Sequence, residues 1–270
     1  MHYHKPLMDL FRSTLGVGGQ RINFYKYSPQ RECFVGFDQA YVKTDLSDGT
    51  FFRMLRDAAA SRNYALTEKF VGYFLQFKVV KEMQQRRKYT PPTIRNRPHY
   101  RVSIDTTKNL TTGLSQHELL YNLNQNQGAM VYYACPMLFD RTALYDIDVD
   151  LDDLRLADLA SCPSAYTDND NHFIYYNDSQ AMPVWSSEPA EGKVITPRDF
   201  AAMVTGRLSQ LSPEDSAREL LQLLTHVDAV GLSPESQALV GVASPTLLPF
   251  ASDSLTIIRI GAPDSARQTT

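Results

Sequence analysis

Gln76 and Lys78 stand two residues apart in an otherwise apolar run, Tyr73-Phe74-Leu75-Gln76-Phe77-Lys78. As a strand the run alternates, with Tyr73, Leu75, Phe77 and Val79 on one face and Phe74, Gln76 and Lys78 on the other. The amide and the ammonium then point the same way, about 6.6 Å apart along the strand. A second short run, Glu32-Cys33-Phe34-Val35-Gly36-Phe37-Asp38, ends on a carboxylate. A neighbouring strand that brings Asp38 alongside would gather an anionic oxygen, a neutral oxygen and a cation. That is the minimal set for holding a divalent ion and a water beside a phosphodiester. The plain alternative is that Asp38 ends a strand and Gln-x-Lys is a half-exposed polar edge. Spacing alone leaves both open.

The stretch after Lys78 is strongly basic. Lys81, Arg86, Arg87, Lys88, Arg95, Arg97 and Arg101 are set against Glu82 alone. Tyr89, His99 and Tyr100 are interleaved, and Pro91, Pro92 and Pro98 forbid a regular helix. A basic, aromatic, proline-stiffened loop suits phosphate binding, and a solvated loop facing the acidic stretch further on is the competing reading. That stretch, 140–158, holds seven aspartates against Arg141 and Arg155. Asp146, Asp148, Asp150 and Asp152 alternate, but no glycine turn or closing glutamate makes a calcium loop. His172 beside Asp170 has no nucleophile placed near it and reads as structural.

Several elements must position these groups. Residues 6–15 suit an amphipathic helix, and 21–27 and 34–42 suit strands. Thr50 is placed to cap a helix over 51–62. Ser115 with Glu118 three residues on makes a capping box, with Leu119, Leu120 and Leu123 on the apolar side. Residues 129–139 lack alternation and fit a strand buried on both faces. Residues 171–176 should form a hairpin with 183–186. Thr196-Pro197-Arg198-Asp199 and Ser212-Pro213-Glu214-Asp215 both open helices, a third is expected over 231–240, and the tail from Ala262 reads as disordered. The Gly16-Val17-Gly18-Gly19 cluster lacks a following Lys-Ser/Thr and reads as a loop.

The chain's 270 residues carry a net charge of −3, so nucleic-acid affinity would have to be local. Cys33, Cys135 and Cys162 have no metal-type spacing and read as buried thiols of a reducing compartment. With no apolar run of membrane-spanning length and no apolar leader, a cytoplasmic location and no membrane partner are expected.

The order of helix, strand with Asp38, strand with Gln76-Phe77-Lys78, helix and buried strand resembles the core of the PD-(D/E)XK nuclease superfamily. With Gln76 where an acid commonly stands, it is similar to the D-Gln-x-Lys variant of Mrr-like restriction endonucleases. The resemblance covers roughly residues 5–140. It implies an α/β fold with a restriction-endonuclease-like core, a mixed central sheet flanked by helices. Residues 1–195 would form this domain and 196–270 a helical C-terminal extension. It implies a metal-dependent DNA endonuclease of bacterial anti-phage or restriction defence. Asp38 and Gln76 would hold Mg2+ or Mn2+, Lys78 would be the lysine of the motif, and Glu32, or Asp9 on the first helix, would be an additional acid. DNA would be the partner, with a second copy or another protein on the C-terminal helices. The alternative within the fold is a non-catalytic scaffold or interaction subunit.

Overall fold

The computed structural model describes residues 3–15, 21–26, 69–94, 98–108, 113–127, 129–137, 150–168, 170–186, 189–230 and 255–261. In chain order its elements are α1 (His4–Leu15), β1 (Arg21–Lys26), β2 (Lys69–Phe77), β3 (Val80–Met83), β4 (His99–Ile104), α2 (Gln116–Gln127) and β5 (Met130–Pro136). They continue with β6 (Leu154–Asp158), β7 (His172–Tyr176), β8 (Val184–Trp185), β9 (Ala190–Glu191), β10 (Lys193–Ile195), α3 (Pro197–Gln210), α4 (Pro213–Val230) and β11 (Leu255–Gly261). The fold is mixed α/β, with two sheets and helices. No helix among the described residues is long and apolar enough to cross a membrane.

The chain divides into two compact units, Met1–Leu7 with Phe74–Asp199, and Met8–Tyr73 with Phe200–Thr270. Strand β2 contributes to both. In the first unit the strand order is β2-β5-β6-β10, and a separate sheet runs β3-β4-β7-β8-β9. Strand β5 is buried on both faces through Val131, Tyr132, Tyr133, Ala134 and Cys135, as its unbroken apolar run requires. It pairs antiparallel with β6, Tyr133 opposite Ala157. The five-stranded sheet is antiparallel at each of its pairings, with Ile174 opposite Trp185 in the β7–β8 hairpin. Its inner face carries Val80, Val102, Ile174, Tyr176 and Trp185, all buried. Gly192 closes against Trp185, where a Cβ would lie 2.6 Å from Nε1.

Helix α2 begins where the capping box places it. Glu118 N–H donates to Ser115 Oγ at 3.1 Å, and Ser115 N–H donates to Glu118 Oε2 at 2.7 Å. Leu119, Leu120 and Leu123 form its buried side.

In the second unit the order is β1-β11-β2, with β1 and β11 antiparallel. The region after 196 is therefore not helical throughout, because Leu255–Gly261 is a strand. Phe11, Tyr73 and Phe200 form its aromatic core, with ring centroids 5.0–5.7 Å apart. Lys69 Nζ donates to Leu208 O at 2.9 Å, and Phe70 N–H to Ser216 Oγ at 3.0 Å. The expected acid-and-proline helix start holds for α4: Asp215 N–H donates to Ser212 Oγ at 3.0 Å. At α3, in the first unit, Asp199 N–H donates to Thr196 Oγ1 at 3.1 Å. The expected elements over 34–42, 51–62 and 231–240 and the tail from Ala262 lie outside the described residues.

Candidate functional site

Strand β2 ends at Phe77, and Lys78 follows it, its N–H donating to Ala134 O on β5 at 2.9 Å. Gln76 and Lys78 do converge, but through a third residue. Gln116 Nε2 donates to Gln76 Oε1 at 2.9 Å, while Lys78 Nζ donates to Gln116 Oε1 at 3.3 Å. Gln116 is the first residue of α2, so the capping box that fixes the helix start also fixes this bridge. Lys78 Nζ lies 5.1 Å from the centroid of the Tyr133 ring. Burial lowers the Lys78 amine below its usual value, opposed by the negative charge of Asp105. Asp105 in turn lines a cleft of about 270 Å³ with Thr107, Lys108, Asp170 and Asn171.

Behind Tyr133 lies a second polar layer. His117 Nδ1 is 2.7 Å from Tyr133 Oη, and His117 Nε2 is 3.2 Å from Ser164 O. A carbonyl only accepts, so Nε2 carries the hydrogen and Nδ1 accepts from the tyrosine hydroxyl. The imidazole is held neutral, its pKa lowered to about 4 by burial first and by the charges of Lys78 and His172. Cys162 Sγ lies 3.9 Å from the same Nε2 and donates to Ser164 O at 3.2 Å. With its proton committed to Ser164, His117 cannot act as base toward the thiol, so the pair is not an activated nucleophile. Tyr166 is stacked between His117 and His172, at 5.0 and 4.1 Å. Its φ of 46° is unusual for a side-chain-bearing residue, and the two rings hold it there. His172 is buried and pairs through Nε2 with Asp168 Oδ1 at 2.5 Å, not with Asp170. That contact, ahead of the Asp170 N–H, holds the Asp168 carboxyl below its ordinary range.

The other expected site residues are scattered. Asp38 and Glu32 lie outside the described residues, as do Arg95, Arg97 and Cys33. Asp9 is exposed and paired with Arg12 at 2.9 Å. Lys81 and Arg101 sit on strands β3 and β4, not on a loop, while Arg86, Arg87 and Lys88 are exposed on the connection between those strands. Cys135 and Cys162 are buried thiols. Among the described residues no three His, Cys, Asp or Glu side chains gather as a metal site. Gln76 offers a neutral oxygen that accepts from Gln116, next to an amide that also binds an ammonium. One such oxygen does not by itself hold a hard divalent ion, so a metal on Gln76 would need the Asp38 carboxylate, with Glu32 as the additional acid, beside it.

Gln116, Tyr133, His117 and Asp105 are the residues that spacing within one strand could not reveal. The signal for Gln116 was present: it follows the N-cap Ser115 directly and so begins the helix after the Lys78 strand. No family model, curated protein or solved structure matches the chain.

Proposed function

We propose that the protein is a phosphodiester hydrolase acting on DNA, a metal-dependent endonuclease with a restriction-endonuclease-like core, in which Lys78 is the central catalytic group. The observation that supports this is the triad of Gln76, Gln116 and Lys78 at the end of β2, with the ammonium half out of water. A surface lysine needs no such arrangement. Gln116 fixes the direction of the ammonium, and the Tyr133 ring provides a negative face beneath it. Charged, Lys78 would donate to the oxygens of a phosphorane as negative charge develops. Its lowered pKa also brings it nearer to exchanging a proton with the attacking water. Magnesium or manganese on Asp38 and Gln76 is part of the proposal and would neutralise phosphate charge. Asp105 at the cleft would keep the Lys78 amine from losing its proton altogether.

A second reading has its own support. Gln76 Oε1 is satisfied by Gln116, so the pair is also what a structural tie between strand and helix would show, and the chain would then be a scaffold. One experiment separates the two: plasmid and linear DNA incubated with the full chain, with magnesium, manganese or chelator, beside the Lys78→Ala variant. The nuclease reading expects metal-dependent cutting that falls at least about 100-fold in the variant, the usual cost of removing one charge-stabilising donor. Cutting at the parental rate by a folded variant would discard it, and so would no cutting with either metal.

A further inference from the structure

The outer face of the five-stranded sheet carries two cations at its β3–β4 edge, with the one acid of that row, Glu191, at the far edge on β9. Residues on one face alternate along each strand, so the pairings Lys81 opposite Arg101 and Arg101 opposite Tyr175 place these side chains in one row. Glu82, opposite Tyr100, points to the other face. Two cations directly across an antiparallel pair repel one another, an arrangement that folding alone does not favour. Arg101 lies over the Phe173 ring at 4.5 Å, and its Nε is buried without a hydrogen-bond partner among the described residues.

Over this face the chain makes a fixed turn. Thr90 N–H donates to Arg87 O at 2.9 Å and Arg87 N–H to Thr90 Oγ1 at 2.8 Å. Arg86 donates to Pro91 O at 3.3 Å, and Ile94 is buried with Phe173 and Tyr175. The turn thus presents Arg86, Arg87 and Lys88 to water from a preformed backbone. Between them and the sheet stands Tyr89, 40 % exposed, its ring 6.1 Å from that of Phe173 and under the Lys88 ammonium at 5.3 Å.

We propose that this face binds single-stranded nucleic acid, with Lys81, Arg86, Arg87, Lys88 and Arg101 taking phosphates and Tyr89 taking a base. The ring decides the strand class. A duplex hides its base faces and offers phosphates only, whereas an unpaired base can stack on the half-exposed tyrosine as Lys88 swings from the ring to a phosphate. The inference deepens the DNA-hydrolase reading by naming the form of the substrate, and binding in chelator tests it without any cleavage.

The test is fluorescence anisotropy of the full chain in chelator at low salt. The probes are a labelled strand of about 15 nucleotides as DNA and as RNA, the DNA duplex, and an abasic strand of equal length. The expected result is that one or both single strands bind tighter than duplex, with a log–log salt slope of about −3.5, as about five phosphate contacts give. Tyr89→Leu, which keeps the packing on Phe173, should weaken the base-bearing strand about tenfold and leave the abasic strand unchanged. Arg87→Gln with Lys88→Gln should weaken all probes and flatten the salt slope. Duplex bound as tightly as single strand would overturn the proposal. So would Tyr89→Leu binding as the parent does, or no binding to any probe. Cleavage that fails while this binding holds would count against the hydrolase alone.

Discussion

Lys78 and Lys88 each lie over a tyrosine ring, at 5.1 Å from Tyr133 and 5.3 Å from Tyr89, yet their surroundings are opposite. Lys78 is half-buried, donates to Gln116 and has its pKa lowered by burial. Lys88 stands in water on a turn with two arginines beside it. The same cation–ring contact therefore serves different ends. Where water is excluded, the charge costs stability and becomes available for proton transfer or charge stabilisation. Where water remains, the charge costs little and acts by attracting an anion. The polar groups around Lys78 are fixed by a helix cap and a buried imidazole. Those around Lys88 are fixed by a turn resting on Phe173.

The largest expected effect falls on the exposed side of this comparison. Phe173 lies beneath Tyr89 and Arg101 and packs with Ile94 and Tyr175. Phe173→Ala should cost about 3–5 kcal/mol, the usual range for a buried phenylalanine. Urea unfolding would measure it. A cost below about 1 kcal/mol would mean that the turn is held by its own hydrogen bonds.

The next effect belongs to the buried side. His117 has a pKa of about 4 in the folded chain against 6.5 as an ordinary histidine. Between those values the unfolded chain binds more protons, so stability rises with pH across the window. The contribution is complete above pH 6.5 and is lost as pH falls to about 4, amounting to about 3 kcal/mol. Lys78, His172, Cys162, Tyr121, Tyr133 and Tyr166 surround or act on this ring. Urea midpoints between pH 7.5 and 4.5 should therefore fall with pH in the parent and fall less steeply in His117→Asn. Parallel curves would remove His117 as the cause.

Much of the scaffold could be read in advance, and the reasons are local. The Ser115–Glu118 box, the Thr196 and Ser212 helix starts and the unalternating β5 run are each specified within a few residues. The site was legible only in part. Gln76 and Lys78 share a face as their spacing requires, but the residue that joins them, Gln116, lies 40 and 38 positions away from them on another element. Lys81 read as part of a basic loop because composition does not show that Val80–Met83 pairs as a strand with His99–Ile104. Strand β11 went unread because its apolar residues, Leu255, Ile257, Ile258 and Ile260, do not keep the strict alternation that marks a strand in sequence. Its partner β1 is more than two hundred positions away.

The smallest effect sharpens the comparison most. Lys78→Met keeps the stem length and the contact with the Tyr133 ring while removing the charge. In the parent, the folded pKa lies below the ordinary 10.5, so between those two values the unfolded chain holds more protons and stability rises with pH. At neutral pH the full penalty of the buried charge is present. The variant should therefore be more stable than the parent at pH 7, by about 0.5–1 kcal/mol, with the gain fading as pH approaches 10.5. Gln116 is half-buried, and water can replace the lost donor. The matching Lys88→Met change should stay within about 0.5 kcal/mol, as exposed substitutions do. Thermal melts of both variants at pH 7 and pH 9.5 would decide it. A Lys78→Met protein clearly less stable than the parent would make the Gln116 bridge a structural tie and take away the main support for Lys78 as a group kept for chemistry.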